Sequence, residues 1–260
     1  MLDIQSQKDH RNIAIDKVGV KNIRYPITVL DKAIKTQQTV AAINTYVDLP
    51  RDYKGTHMSR LIEILNEHDR MISIKNFSDI LSTMKARLNA ESAHIEISFP
   101  YFIMKTSPVT QSPGLMEYQC TFEGRLNKGK DLIVMIQVPI TTLCPCSKEI
   151  SANGAHNQRG NVKLKVRFKK FVWIEDLIKL VEECASCEVY SVLKREDEKY
   201  VTEKAYQNPK FVEDVVRDIA EKLENDKNII WFAVESENFE SIHNHNAYAY
   251  IESSKEKQTQ

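Results

Sequence analysis

Apolar and polar positions change their period several times along this chain, and each change marks an element. Residues 18–29 and 39–49 are β-branched and aromatic, broken by Pro26 and closed by Pro50, which predicts two strands joined by a polar turn. After Gly55-Thr56, the apolar residues Met58, Leu61, Ile62 and Leu65 recur at helical spacing. A second helical stripe, Ile80, Leu81, Met84 and Leu88, follows a cap at Asn76 or Ser78. Ile95, Ile97 and Phe99 then alternate with polar residues, as do Met116, Tyr118, Cys120 and Phe122 beyond the turn Ser112-Pro113-Gly114.

The second half repeats that order. Residues 132–140 form an apolar run that reads as a strand. Val162, Leu164, Val166 and Phe168 alternate with Lys163, Lys165, Arg167 and Lys169, predicting a half-buried strand whose cationic face is solvated rather than a phosphate patch. Ile174, Leu177, Ile178 and Val181 mark a helix ending near Cys184. Asn208-Pro209 reads as the cap and first turn of a helix carrying Val212, Val215, Val216, Ile219 and Leu223. Strands at 229–234 and 247–251 close the pattern. Two strand-strand-helix-helix-strand-strand copies predict an α+β architecture, each copy an antiparallel sheet with its helices on one face. The expected modules span 18–128 and 129–252, flanked by mobile polar segments at 1–17 and 253–260.

Charge narrows the partners. Lysine plus arginine and aspartate plus glutamate both number 36, so no global field draws the protein to nucleic acid or a membrane surface. No run of eighteen apolar residues occurs, and the N-terminus lacks the apolar stretch of a signal peptide, which predicts a cytoplasmic protein. Five cysteines, an odd number in a long chain, fit thiols kept for chemistry or packing better than a disulfide framework.

Candidate chemistry concentrates in residues 141–160, which place Cys144, Cys146, Lys148, His156 and Arg159 in one Pro- and Gly-punctuated loop. A thiolate with an imidazole suits a borderline-soft ion such as zinc or iron(II); the competing reading makes the thiols small buried hydrophobes and His156 a surface residue. His243 and His245 would share one face if the last strand already ran through them. Residues 193–203 are a charge run between helices, and its Glu198 or Glu203 has the chemistry to add a third ligand while Lys194 and Arg195 hold phosphate. Glu213 and Asp214 suit the start of a helix, and a carboxylate there also accepts two parallel N–H donors, as a guanine edge presents. Cys184 and Cys187 end an amphipathic helix and read as packing.

Assembled, these residues resemble GTP cyclohydrolase of the IB type. The likeness runs through Gly55-Thr56-His57-Met58-Ser59-Arg60, the loop from Cys144 to Gly160, Leu193-Lys194-Arg195 with Asp197-Glu198, the segment from Asn208 to Asp214, and His243-Asn244-His245. The resemblance implies a tunnelling fold, a homotetramer with interfacial active sites, and metal-dependent hydrolysis of GTP to 7,8-dihydroneopterin triphosphate and formate. That reaction opens pterin synthesis for folate and, in many bacteria, for queuosine. It implies one divalent metal, zinc, manganese or iron, held by Cys144, His156 and Glu198. Glu213 would anchor the guanine edge, with Cys144, Cys146, His243 and His245 at the reacting centre. Lys148, Arg159, Lys194 and Arg195 are triphosphate partners by charge. Two other readings stay open: an NADPH-dependent deazapurine reductase on the same fold, and a non-catalytic binding protein whose loop is stapled by metal.

Overall fold

Strand periodicity in this chain is realised as long antiparallel ladders. The computed structural model describes residues 5, 7–67 and 77–255. Two units emerge, Met1–Pro100 with Thr121–Val134, and Tyr101–Cys120 with Met135–Gln260.

In the first unit, β1 (Ile15–Asp31) pairs with β2 (Lys35–Leu49) in the register Ile23↔Ile43 and Tyr25↔Ala41. Next along the ladder come β3 (Ala93–Thr106), β4 (Pro113–Leu126) and β5 (Lys130–Leu143), three strands divided between the units. Helices α1 (Met58–Glu67) and α2 (Phe77–Arg87) supply the other layer. Phe122 meets Phe99 and Phe77 edge-on, with ring centroids 5.1 and 6.2 Å apart. One stripe differs from expectation: Leu61, Ile64 and Leu65 are buried, whereas Met58 is 37% exposed. A side chain on the first helical residue leans toward the N-terminus, past the surface it would pack on. Asn76, one of the two expected caps, lies outside the described residues. The segment before β1 pairs with the turn after β2, since Lys54 N–H donates to Gln7 C=O at 3.0 Å and Asp9 N–H to Asp52 C=O at 3.3 Å.

The second unit continues through β6 (Asn157–Phe168), β8 (Ile229–Asn238) and β9 (Ala247–Ser254), with the two-residue β7 (Cys187–Glu188) pairing on β5. Its helices are α3 (Pro145–Ile150), α4 (Ile174–Glu182), α5 (Arg195–Gln207) and α6 (Val212–Asn225). Every predicted core residue of α4 and α6 is buried. The cations of β6 are matched within the sheet: Lys163 pairs with Glu235 at 3.0 Å, and the Arg167 guanidinium stacks 4.3 Å from the Trp231 ring. Among the described residues, no helix is long and apolar enough to cross a membrane.

Three segments depart from the sequence expectation. The charge run 193–203 is not a connecting loop: from Arg195 on it is helical, the first turns of α5. Asn208 closes α5 instead of opening α6, donating its amide to Ala185 C=O at 2.9 Å, while Phe211 occupies the N-cap of α6. Strand β9 begins at Ala247, after His243 and His245.

Gly124 is buried against α2, where an added Cβ would lie 2.0 Å from Cε1 of Phe77 and 3.1 Å from Cδ1 of Leu81. Gly124→Ala is expected to cost about 1–3 kcal/mol of stability through overpacking. A lower urea midpoint at unchanged slope will register it.

Candidate active site

The loop after β5 folds as a short helix and returns beside its own start. Cys144 is the N-cap of α3, and its Sγ accepts one long hydrogen bond from Ser147 N–H at 3.4 Å. Gly154 takes φ +76°, a left-handed turn open to glycine at no steric cost, and the chain comes back. Cys144 N–H then donates to His156 C=O at 3.1 Å, and His156 N–H to Ser147 Oγ at 3.3 Å. The backbones of Cys144 and His156 are thus held next to each other. Cys146 lies on α3 and is exposed.

Three long-range contacts bring other groups to this loop. Lys210 N–H donates to Leu143 C=O at 3.1 Å, which fixes the start of α6 next to Cys144. Of the two acids in that helix's first turn, Asp214 accepts Phe211 N–H at 2.9 Å, whereas Glu213 is exposed and has no side-chain partner among the described residues. Lys148 Nζ donates to Tyr206 C=O at 2.6 Å and lies 4.5 Å from the Tyr206 ring, joining α3 to the end of α5. Phe239 N–H donates to Arg159 C=O at 2.9 Å, extending the β6–β8 ladder so that Glu240 and Ser241 reach His156. The His243 and His245 rings follow directly and stack at 5.1 Å and 24°, so the pair meets without a strand running through it. The guanidinium groups of Arg159 and Arg195 are on exposed residues without a side-chain partner among the described residues.

Two groups given no role in the sequence reading shape the site. Gln158 is buried beside His156, with Oε1 3.0 Å from Nδ1. Extended backbone puts residues two apart on one face, which is the signal that would have found it. Asp197 is fully buried and explains α5. Its carboxylate accepts Lys194 N–H at 2.9 Å as a helix cap, and also Val109 N–H and Thr110 N–H at 2.9 Å and the Thr110 hydroxyl at 2.6 Å. Burial alone would push this carboxyl up; the hydrogen bonds from Thr110, Lys194 and Val109 outweigh it and hold it well below the usual carboxylate range. Lys194, Arg195 and Glu198 are exposed on the turn that Asp197 secures.

The donor chemistry fits a metal at Cys144 and His156. Gln158 and Glu240 engage Nδ1 of His156, leaving Nε2 as the ring nitrogen for an ion, and Cys144 Sγ has lone pairs beyond its single long contact. Among the described residues, no three of His, Cys, Asp and Glu are gathered as a ligand set. Glu198 is exposed, with no side-chain partner among them. Cys184 and Cys187 are buried thiols: Cys184 Sγ–H donates to Leu180 C=O at 3.2 Å, and burial, with Glu188 beside it, pushes Cys187 up to about 11. Both belong to packing.

Comparison with known proteins places this geometry. A family model described as type I GTP cyclohydrolase folE2 matches residues 1–249. The GTP cyclohydrolase FolE2 of Syntrophobacter fumaroxidans is 65% identical over 257 residues, covering 98% of this chain and 100% of that protein. The protein of the same name from Syntrophus aciditrophicus is 62% identical over 253 residues, covering 97% and 99%. Among solved structures, a highly active mutant of Bacillus sp. TB-90 urate oxidase superposes with TM-score 0.56 at 8% identity over 92% of this chain and 100% of that one. Uricase from Arthrobacter globiformis gives 0.54 at 6% identity over 93% and 94%. At such identity the likeness carries the fold alone, and that fold is the tunnelling fold.

Asp197→Ala strands three N–H donors and is expected to lower the melting temperature by about 5 °C or more. Because the folded carboxyl is held below its unfolded value, its contribution is complete above about pH 4 and fades as pH falls through the folded value. The urea midpoint of Asp197→Asn, measured from about pH 5 to about pH 2, should therefore fall less than that of the unsubstituted protein.

Proposed function

The chain belongs to the type I GTP cyclohydrolase FolE2 family, and we infer on that footing that it hydrolyses GTP to 7,8-dihydroneopterin triphosphate and formate, the first step of folate-type pterin synthesis. The observation that carries the reading is family membership over nearly the whole chain, joined to a cysteine and a histidine with adjacent backbones near an acid at the start of α6 that has no side-chain partner among the described residues.

Glu213 binds the guanine edge. Asp214 already caps α6, so Glu213, whose carboxylate has no partner among the described residues, is the one available to accept two parallel N–H bonds from the base. Cys144, His156 and Glu198 hold a divalent cation, zinc, manganese or iron; the exposure of Glu198 supports a ligand set completed when copies of the chain associate. Such a cation supplies Lewis acidity and makes water a nucleophile near neutral pH. Cys146 and the stacked pair His243 and His245 move protons at the ring nitrogens that depart from the guanine carbon, a task that suits an imidazole. Arg159 and Arg195 are the leading triphosphate partners because their guanidinium groups have no side-chain partner among the described residues; Lys194 lies beside Arg195, and Lys148 joins them by leaving Tyr206.

The same reading makes the protein a cytoplasmic homotetramer with active sites at subunit interfaces, built from modules at 18–128 and 129–252, and lets its product serve queuosine as well as folate. The reductase alternative has no support from the relatives, which carry the cyclohydrolase name at 57–65% identity.

Incubation with GTP and manganese or zinc should yield formate and, after oxidation, pterin fluorescence. Cys144→Ala, His156→Ala and Glu198→Ala should each lose bound metal and product together; full occupancy in any of them removes that residue from the ligand set. Glu213→Ala should keep its metal while kcat/KM falls by at least ~100-fold, as expected when a site built to hydrogen-bond its substrate loses that group.

A further inference from the structure

We propose that Gln158 is a positioning residue that fixes the tautomer of His156, holding the proton on Nδ1 and the lone pair on Nε2. The proposal rests on the cyclohydrolase reading only in taking His156 as a metal ligand; the hydrogen-bond argument is independent of it. Gln158 lies on β6, is 7% exposed, and stands between three polar groups of its own unit. Its Nε2 is 3.0 Å from Thr142 Oγ1, on a residue with no exposed surface, and 3.4 Å from Glu240 Oε1. Its Oε1 is 3.0 Å from Nδ1 of His156.

The direction of every bond in this chain follows from Glu240. A carboxylate only accepts, so the amide end of Gln158 that faces it must be the NH2 group. The carbonyl end therefore faces His156, and a carbonyl also only accepts. Nδ1 must then be the N–H of the neutral ring, and Nε2 carries the lone pair. The surroundings of Nδ1 agree, with the second Glu240 oxygen 3.8 Å away and the Ser241 hydroxyl 3.5 Å away, free to act as acceptor. The opposite tautomer would set an unprotonated Nδ1 against a carbonyl and a carboxylate in a pocket where Gln158 and the Glu240 side chain are nearly closed to water. Thr142 orders the amide plane from the neighbouring strand. The result is an imidazole whose metal-binding nitrogen is selected before any ion arrives.

Three measurements on the full chain test this. Nitrogen-15 spectra of the metal-free protein should show His156 with Nδ1 protonated; a resonance pattern with Nε2 protonated overturns the proposal outright. In Gln158→Leu, which keeps the volume and removes all three side-chain hydrogen bonds, His156 should become a tautomer mixture. Affinity for zinc alone, by chelator competition, should weaken by ~10- to 100-fold while the melting curve stays cooperative. Unchanged affinity in a folded Gln158→Leu overturns it. If that variant fails to fold, Glu240→Gln serves instead: it frees the Gln158 amide to rotate and should give the same tautomer mixing with a smaller loss of affinity, whereas an unmixed spectrum overturns the proposal. Absence of pterin from the unsubstituted protein with zinc or manganese bound sinks the cyclohydrolase reading without touching the tautomer result.

Discussion

The Cys144 N–H to His156 C=O bond is the constraint on which the site depends. It prolongs the pairing of the strands on either side of the loop, so the relative placement of Cys144 and His156 along the backbone is set by sheet geometry and not by a flexible connection. Everything else at the site is attached to ends of the same strands. The residue before Cys144 accepts from Lys210 and so locates α6; the residue before Gly160 accepts from Phe239 and so locates Glu240, Ser241 and the histidine pair.

Buried polar groups do the remaining alignment. A carboxylate with no exposed surface, Asp197, collects four hydrogen bonds and joins the first turn of α5 to the turn at Val109 and Thr110. Nearby in the same unit, Glu182 accepts from Lys105 Nζ at 2.8 Å and from the Tyr118 hydroxyl at 2.7 Å, and Glu188 takes Lys204 Nζ at 2.6 Å. Such groups are costly when left unpaired and strongly directional when satisfied, so each accepts little variation in the elements it ties together. The apolar stripes decide that α4 and α6 cover the sheet; the carboxylates decide where the polar helix α5 stops sliding.

The division of labour between neighbouring residues is consistent with this. Asp197 is committed to structure and Glu198 is left exposed; Asp214 caps a helix and Glu213 has no side-chain partner among the described residues; Gln158 is buried and hydrogen-bonds His156. In each pair the committed member restricts the backbone or ring of the available one. Preorganisation of that kind lowers the ordering cost when substrate or metal binds.

The sequence alone determined the elements whose stability is local. Period-two and period-3.6 patterns gave the strands and the exact faces of α4 and α6, because burial at those spacings is a property of neighbouring residues. It also carried the candidate reacting groups, since Cys144, Cys146 and His156 lie within one short stretch. Only the tertiary structure decided α5, whose few apolar positions hide a helix held by bonds from Asp197 to residues 87 and 88 positions away. It likewise decided that Asn208 ends a helix, that Met58 faces out, and that Gln158 and Glu240 meet at one imidazole. Periodicity records which face a residue turns to the core, but a hydrogen bond between distant segments leaves no period in the chain, and it was such bonds that completed the site.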